Sequence, residues 1–139
     1  MYGLFVLSLA VLVVDLPTAA ALPPCIVLSV NYDFPSTISV GQQVTVKTEL
    51  KATCVQWPPN ATAYSIRVDL TNISNGFVLS TTTYQVGFAQ TYIDQTFLNN
   101  AVAPSSPGNW LLRVDLYLWG GSGQLLVHLT DYAKLPVAQ

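Results

Sequence analysis

Hydrophobic and polar residues alternate one by one along most of this chain beyond residue 25, which is the period of a half-buried strand rather than of a helix. Val44, Val46, Thr48, Leu50, Ala52 and Cys54 share one face of an extended segment, and Thr45, Lys47, Glu49, Lys51 and Thr53 share the other. Tyr64, Ile66, Val68 and Leu70 alternate with Ser65, Arg67, Asp69 and Thr71; Leu112, Val114, Leu116 and Leu118 alternate with Arg113, Asp115, Tyr117 and Trp119. These two segments read as central strands. Weaker strands are predicted over residues 26–32, 77–86, 92–98 and 125–130. Turn chemistry separates them at Pro35-Ser36, Val40-Gly41, Trp57-Pro58-Pro59-Asn60, Ser74-Asn75-Gly76, 104–108 and 120–123. Roughly seven short strands with a turn every 8 to 12 residues predict an all-β fold, two antiparallel sheets packed as a sandwich.

Before the first strand lies a different kind of segment. Residues 4–14 are an apolar run of 11, too short for the roughly 20 residues that cross a bilayer as a helix and suited to the core of a signal peptide. Asp15 and Pro17 end it, and Ala19-Ala20-Ala21 offers small residues at the positions signal peptidase reads. Residues 1–21 are therefore expected to be a cleaved signal peptide, with retention as an anchor the alternative, and 22–139 a single exported domain with no membrane span of its own. The expected location is extracellular, secreted or at the cell surface.

An oxidising compartment gives the two cysteines a structural meaning. A connection turning near Ser39-Val40-Gly41 sets Cys25 directly opposite Cys54 on paired strands, so the two are expected to form a disulfide. Closing a loop of about 28 residues is worth roughly 3 kcal/mol by chain entropy. Export also makes Asn60-Ala61-Thr62 and Asn72-Ile73-Ser74 candidate glycosylation sites at Asn60 and Asn72.

Two stretches resemble a known class of domain. Phe34-Pro35-Ser36-Thr37-Ile38-Ser39-Val40-Gly41-Gln42-Gln43-Val44-Thr45-Val46 is similar to the first-to-second strand junction of immunoglobulin-like and fibronectin-type-III-like extracellular modules of microbial surface proteins. Ser106-Pro107-Gly108-Asn109-Trp110-Leu111-Leu112-Arg113-Val114 resembles the Pro-Gly entry into their penultimate strand. The resemblance implies an immunoglobulin-like sandwich and a surface role. The expected disulfide joins neighbouring strands rather than the two sheets, so antibody-type recognition does not carry over.

In that strand order the repeated tetrapeptide Arg-Val-Asp-Leu, at residues 67–70 and 113–116, occupies the third and sixth strands, antiparallel neighbours in one sheet. The expectation is that Arg67 faces Asp115 and Asp69 faces Arg113, structural charge pairs that discourage slippage by one residue.

Charge and chemistry narrow the function classes. The chain has 139 residues and is 51% hydrophobic but only 9% charged, with five Lys and Arg against seven Asp and Glu. That leaves too little clustered positive charge for nucleic acid. One histidine, His128, and two cysteines make a metal site unexpected, and no cofactor motif is present. A hydrolytic triad would have to use His128, which alternation puts on an outer strand face, and no Gly-x-Ser-x-Gly turn exists. Trp57, Trp110 and Trp119 lie beside Pro or Gly near strand ends. Trp110 is expected in the core, while Trp57, Tyr117 and Trp119 are candidate binding residues on an exposed aromatic surface. The sequence thus points to a non-enzymatic structural or interaction protein. With so few charges to guard its sheet edges it is expected to self-associate in a filament or surface layer or to bind another surface protein. The alternative is a soluble module that recognises glycan or protein through Trp and Tyr.

Overall fold

In a computed structural model, which describes residues 25–54, 64–87 and 90–139, the alternation becomes eight strands in two sheets. The expected signal peptide, Trp57 and Asn60 lie outside the described residues. The strands are β1 (Cys25–Asp33), β2 (Ile38–Ser39), β3 (Gln43–Cys54), β4 (Ser65–Asn72), β5 (Val78–Gln85), β6 (Tyr92–Val102), β7 (Gly108–Trp119) and β8 (Leu125–Ala138). One sheet has the order β1-β3-β6 and the other β2-β8-β7-β4-β5. Apart from the two-residue β2, which runs parallel to the end of β8, every pairing is antiparallel. This is the expected two-sheet, immunoglobulin-like sandwich, with β4 and β7 side by side in the larger sheet.

The inward positions of β3, β4 and β7 form the core together with Ile93 and Phe97 of β6 and Trp110 at the start of β7. Ile66, Val68 and Leu70 face Leu112, Val114, Leu116 and Leu118 along the centre of the larger sheet, all at most 1% exposed. Two hydroxyls are buried there without a hydrogen-bond partner among the described residues, those of Thr48 and Tyr32. Burial, with Asp131 and Asp115 nearby, pushes the Tyr32 phenol up to about 12. A buried hydroxyl without a partner costs more than the methyl that replaces it. Thr48→Val is therefore expected to stabilise the protein by about 1 kcal/mol in urea unfolding, with an unchanged slope.

Cys25 is opposite Cys54 and the two are joined, closing the open end of the β1–β3 pair as expected. The connection between these strands is not the simple turn that the spacing suggested. After β1 the chain crosses to the other sheet, where Ile38 and Ser39 pair with Val137 and Ala138 and Val40 N donates to Ala138 O (2.9 Å). It then turns back through Gly41, whose φ of 70° suits glycine. Ile38, 1% exposed, is the apolar anchor that holds this excursion.

The central register corrects one expectation. Asp69 is opposite Asp115, Arg67 opposite Tyr117 and Thr71 opposite Arg113, so Arg67 does not face Asp115 and Asp69 does not face Arg113. The observed and expected registers differ by two residues. Alternation separates registers that differ by one, because those swap core and solvent faces, but it cannot separate those that differ by two.

One polar side chain ties the sheets together. Asn99 of β6, 0% exposed, donates from Nδ2 to Val68 O (3.1 Å), Ser80 O (3.2 Å) and Ser80 Oγ (3.2 Å) in the opposite sheet. Thr82 Oγ1 donates to its Oδ1 at 3.5 Å.

Candidate functional site

Side chains that could carry chemistry gather on the outer face of the larger sheet, to which β4, β7 and β8 each contribute every second residue, some exposed or half-buried and others, such as Asp69, Thr71 and Asp115, buried. The β7–β8 register sets Tyr117 beside His128 and Asp115 beside Thr130. The Tyr117 ring stacks on the His128 imidazole (centroids 4.5 Å apart, planes 11° apart) and on Trp119 (5.3 Å, 16°). From the β4 side the Arg67 guanidinium lies 4.8 Å from the Tyr117 centroid and 4.9 Å from that of Trp119. A cation over a partly exposed ring gains about 0.5–1 kcal/mol. Tyr117 is thus flanked by Arg67 on one side and His128 on the other, and its ring faces are largely taken up inside the cluster.

Asp115 is the hub beneath these rings, 3% exposed. Arg113 Nε donates to Oδ2 (2.8 Å), Thr130 Oγ1 donates to Oδ1 (2.7 Å), and His128 Nε2 lies 2.9 Å from Oδ1. Burial alone would raise its pKa, but the hydrogen bonds from His128, Thr130 and Arg113 outweigh it and hold the carboxyl below its ordinary value. Across the β4–β7 pair, Asp69 has the corresponding arrangement. Arg67 Nε is 3.2 Å from Asp69 Oδ2 without an aligned hydrogen bond, and Thr81 Oγ1 donates to Oδ1 (2.9 Å). Each aspartate is neutralised by the arginine two residues before it on its own strand. This is how two carboxylates directly opposite one another are tolerated.

The constellation does not have the geometry of acid–base or nucleophilic catalysis. In a hydrolytic triad the acid holds one imidazole nitrogen and the nucleophile meets the other. Here both Asp115 and Thr130 (3.2 Å) approach the same atom, His128 Nε2. A general acid needs a raised pKa, and that of Asp115 is lowered. Asp115→Asn is expected to cost about 2 kcal/mol, since Arg113 and His128 are partly exposed and re-solvate. A lowered folded pKa adds stability that is present above the ordinary carboxylate range and lost as pH falls through the folded value. Wild-type and Asp115→Asn stabilities, measured by urea unfolding, should therefore converge at acid pH.

The sandwich also presents four sheet edges, β1 and β6 on the smaller sheet, β5 and β8 on the larger, with β2 covering only the last residues of β8. Charges on them are sparse. Asp33 is the single charged residue of β1 and Asp94 of β6, β5 has none, and β8 has Asp131 and Lys134. Exposed large apolar residues include Ile26 and Leu28 on β1 and Tyr92, Leu98 and Val102 on β6.

Of the other residues singled out from the sequence, Trp110 is buried, 3% exposed. Asn72 ends β4 at the tip of the β4–β5 hairpin, where its Oδ1 accepts from Ser74 N (3.2 Å). Among the described residues no group of three or more His, Cys, Asp and Glu side chains is placed to hold a metal, and no helix is long and apolar enough to cross a membrane. Sequence reasoning assigned no role to Asp115 as a hub, to His128 as its partner or to Asn99. The Arg-x-Asp spacing was the available signal for the first of these.

No family model and no curated protein matches the chain. Solved structures do match its fold. A glycosyl hydrolase family 2 member from Bacteroides cellulosilyticus aligns over 76% of this chain with a TM-score of 0.57 at 8% identity. The match covers 13% of that protein, so the chain spans about an eighth of its length. A cohesin module from a Clostridium perfringens family 33 glycoside hydrolase aligns over 79% of this chain and 96% of its own (TM-score 0.50, 10% identity). A CARDB domain from Pyrococcus furiosus, solved in complex with di-metal ions, aligns over 85% and 97% (TM-score 0.50, 14% identity). At these identities the likeness is one of fold.

Proposed function

We propose that this chain is a non-enzymatic interaction module of a secreted or cell-surface protein, and that it self-associates through its sheet edges. The observation that carries this reading is the near absence of charge along four edge strands, each of which exposes at least one large apolar side chain. Edges of this kind invite strand addition unless something covers them. The cohesin and CARDB neighbours, matched over nearly their full length, favour a protein-interaction module, and the Cys25–Cys54 disulfide favours an extracellular setting. On this reading residues 1–21 direct export and Asn60 and Asn72 are available to glycans. Association stabilises the folded chain by mass action. The thermal midpoint of the exported protein is expected to rise with protein concentration, and a midpoint independent of concentration would reject self-association.

The outer aromatic face supports a second reading, a binding surface for another protein. Trp, Tyr and Arg are the residue types that dominate such contacts, and Trp119, Tyr117 and Arg67 meet there. A sugar ring has less to stack on, because Tyr117 already lies between Arg67 and His128.

A further inference from the structure

The β6 edge has a hydrogen-bonding phase that can be worked out. It pairs with β3 without a bulge, from Thr53 opposite Tyr92 to Gln43 opposite Val102. In an antiparallel ladder opposed residues alternate between pairs that exchange both backbone bonds and pairs that exchange none. At one end Cys54 N donates to Thr91 O (2.8 Å), and at the other Ala103 N donates to Gln42 O (2.8 Å). Both fix the same phase, in which the odd-numbered residues of β6 bond to β3. The even-numbered residues therefore turn N–H and C=O toward the open side. Their side chains also stand on the exposed face of the smaller sheet. Among the described residues no strand is hydrogen-bonded to β6 on that side, and Gln90 Nε2 donates to one of these groups, Tyr92 O (3.0 Å).

The other edges are guarded better. β1 is broken by a register shift after Val27, β5 by one near its start, and β8 carries Asp131, Lys134 and Pro136 and is partly covered by β2. β6 has no proline and one charge, and exposes Tyr92, Leu98 and Val102 at 47%, 52% and 64%. A long, flat, apolar edge is the kind that pairs with another strand.

The sequence of β6 is complementary to itself. Two copies laid antiparallel in full overlap, about a two-fold axis at Phe97, set Tyr92 against Val102, Asp94 against Asn100 and Thr96 against Leu98. Every such pair joins two even-numbered residues, so the register of greatest overlap is also the one whose outward backbone groups meet. A shift by one residue would set outward groups against groups already bonded to β3. The side chains agree with this register. An aromatic residue meets a β-branched one. Asp94 meets an amide and never a second Asp94, and Asn100, whose Oδ1 accepts from Thr45 Oγ1 (2.6 Å), keeps its Nδ2 to donate.

We propose that β6 pairs with β6 of a second copy of this chain in that register, joining two three-stranded sheets into one of six strands. This rests on the self-association reading and specifies its interface, an isologous contact that closes at two copies.

The test is residue-resolved amide hydrogen exchange on the full exported chain, with light-scattering mass measured over the same concentration series. The mass should double as the amides of Asp94, Thr96, Leu98 and Asn100 gain protection, while those of Gln95, Phe97 and Asn99 are protected throughout. Thr96→Pro removes an outward N–H that β3 does not use and should weaken association on the order of tenfold or more. Should that variant fail to fold, Leu98→Lys serves, because it brings two like charges to roughly 7–8 Å across the axis. A dimer in which the even-numbered amides stay unprotected, or which both folded variants still form, would overturn this interface while leaving self-association standing. A monomer at every concentration would overturn both.

Discussion

Asn99→Asp is expected to lose about 4 kcal/mol of stability at pH 7 and to regain part of it as the pH falls toward about 4. The reason is the direction of the hydrogen bonds. Nδ2 of Asn99 donates to Val68 O, Ser80 O and Ser80 Oγ, so its site is built from acceptors. An ionised carboxylate there has no proton to give and sets its charge against two carbonyl oxygens at 0% exposure. The folded state then favours the protonated acid and its pKa rises. The loss is greatest above the raised folded value and shrinks as pH falls through it toward the unfolded value near 3.9. Asn99→Ala, which leaves the acceptors without a donor but adds no charge, is expected to cost about 2–3 kcal/mol at both pH values. Urea unfolding of the two variants at pH 7 and pH 4 separates the terms. Equal, pH-independent losses would show that only the shape of the amide matters.

The second large effect is that of the disulfide. Replacing both Cys25 and Cys54 by serine, so that no free thiol remains, is expected to lower stability by about 3 kcal/mol while the sandwich still folds. β1 is bonded to one strand only and exposes Ile26 and Leu28, so little apolar burial holds its N-terminal end. The covalent link does that instead, by limiting the unfolded chain across a separation of 29 residues. An unfolding midpoint that does not change under oxidising conditions would contradict this account. Because a reducing compartment would remove the same contribution, the effect also bears on where the chain works.

The alternation of β3, β4 and β7 was legible because each has one face in water and one in the core. The opposition of Cys25 and Cys54 followed from the antiparallel pairing of two such strands. What escaped the sequence did so for identifiable reasons. The β4–β7 register is ambiguous by two residues, so Arg67 and Arg113 were assigned to aspartates across the strand pair rather than to Asp69 and Asp115 on their own strands. β6 and β8 run on to Val102 and Ala138, past the expected ends at 98 and 130, because Asn99 and Asp131 look like breaks in an apolar face. Asn99 is polar yet belongs inside, a role set by acceptors on β4 and β5 that no local pattern reveals. β2 is too short to show a period, and its change of sheet is a property of the assembled sandwich. The aromatic cluster was visible as Tyr117 and Trp119, but the presence of His128 and Arg67 beside them depends on register.

The central claim, an extracellular module that associates with its own kind, is tested most directly by the native mass of the exported, disulfide-bonded protein, measured by light scattering after size exclusion over a range of concentrations. The expected result is a mass that grows from that of one chain to at least that of two and changes little between low and high salt. The edges carry few charges for salt to screen. A mass that stays at one chain up to the highest concentration would contradict the claim and turn attention to the face formed by Arg67, Tyr117, Trp119 and His128.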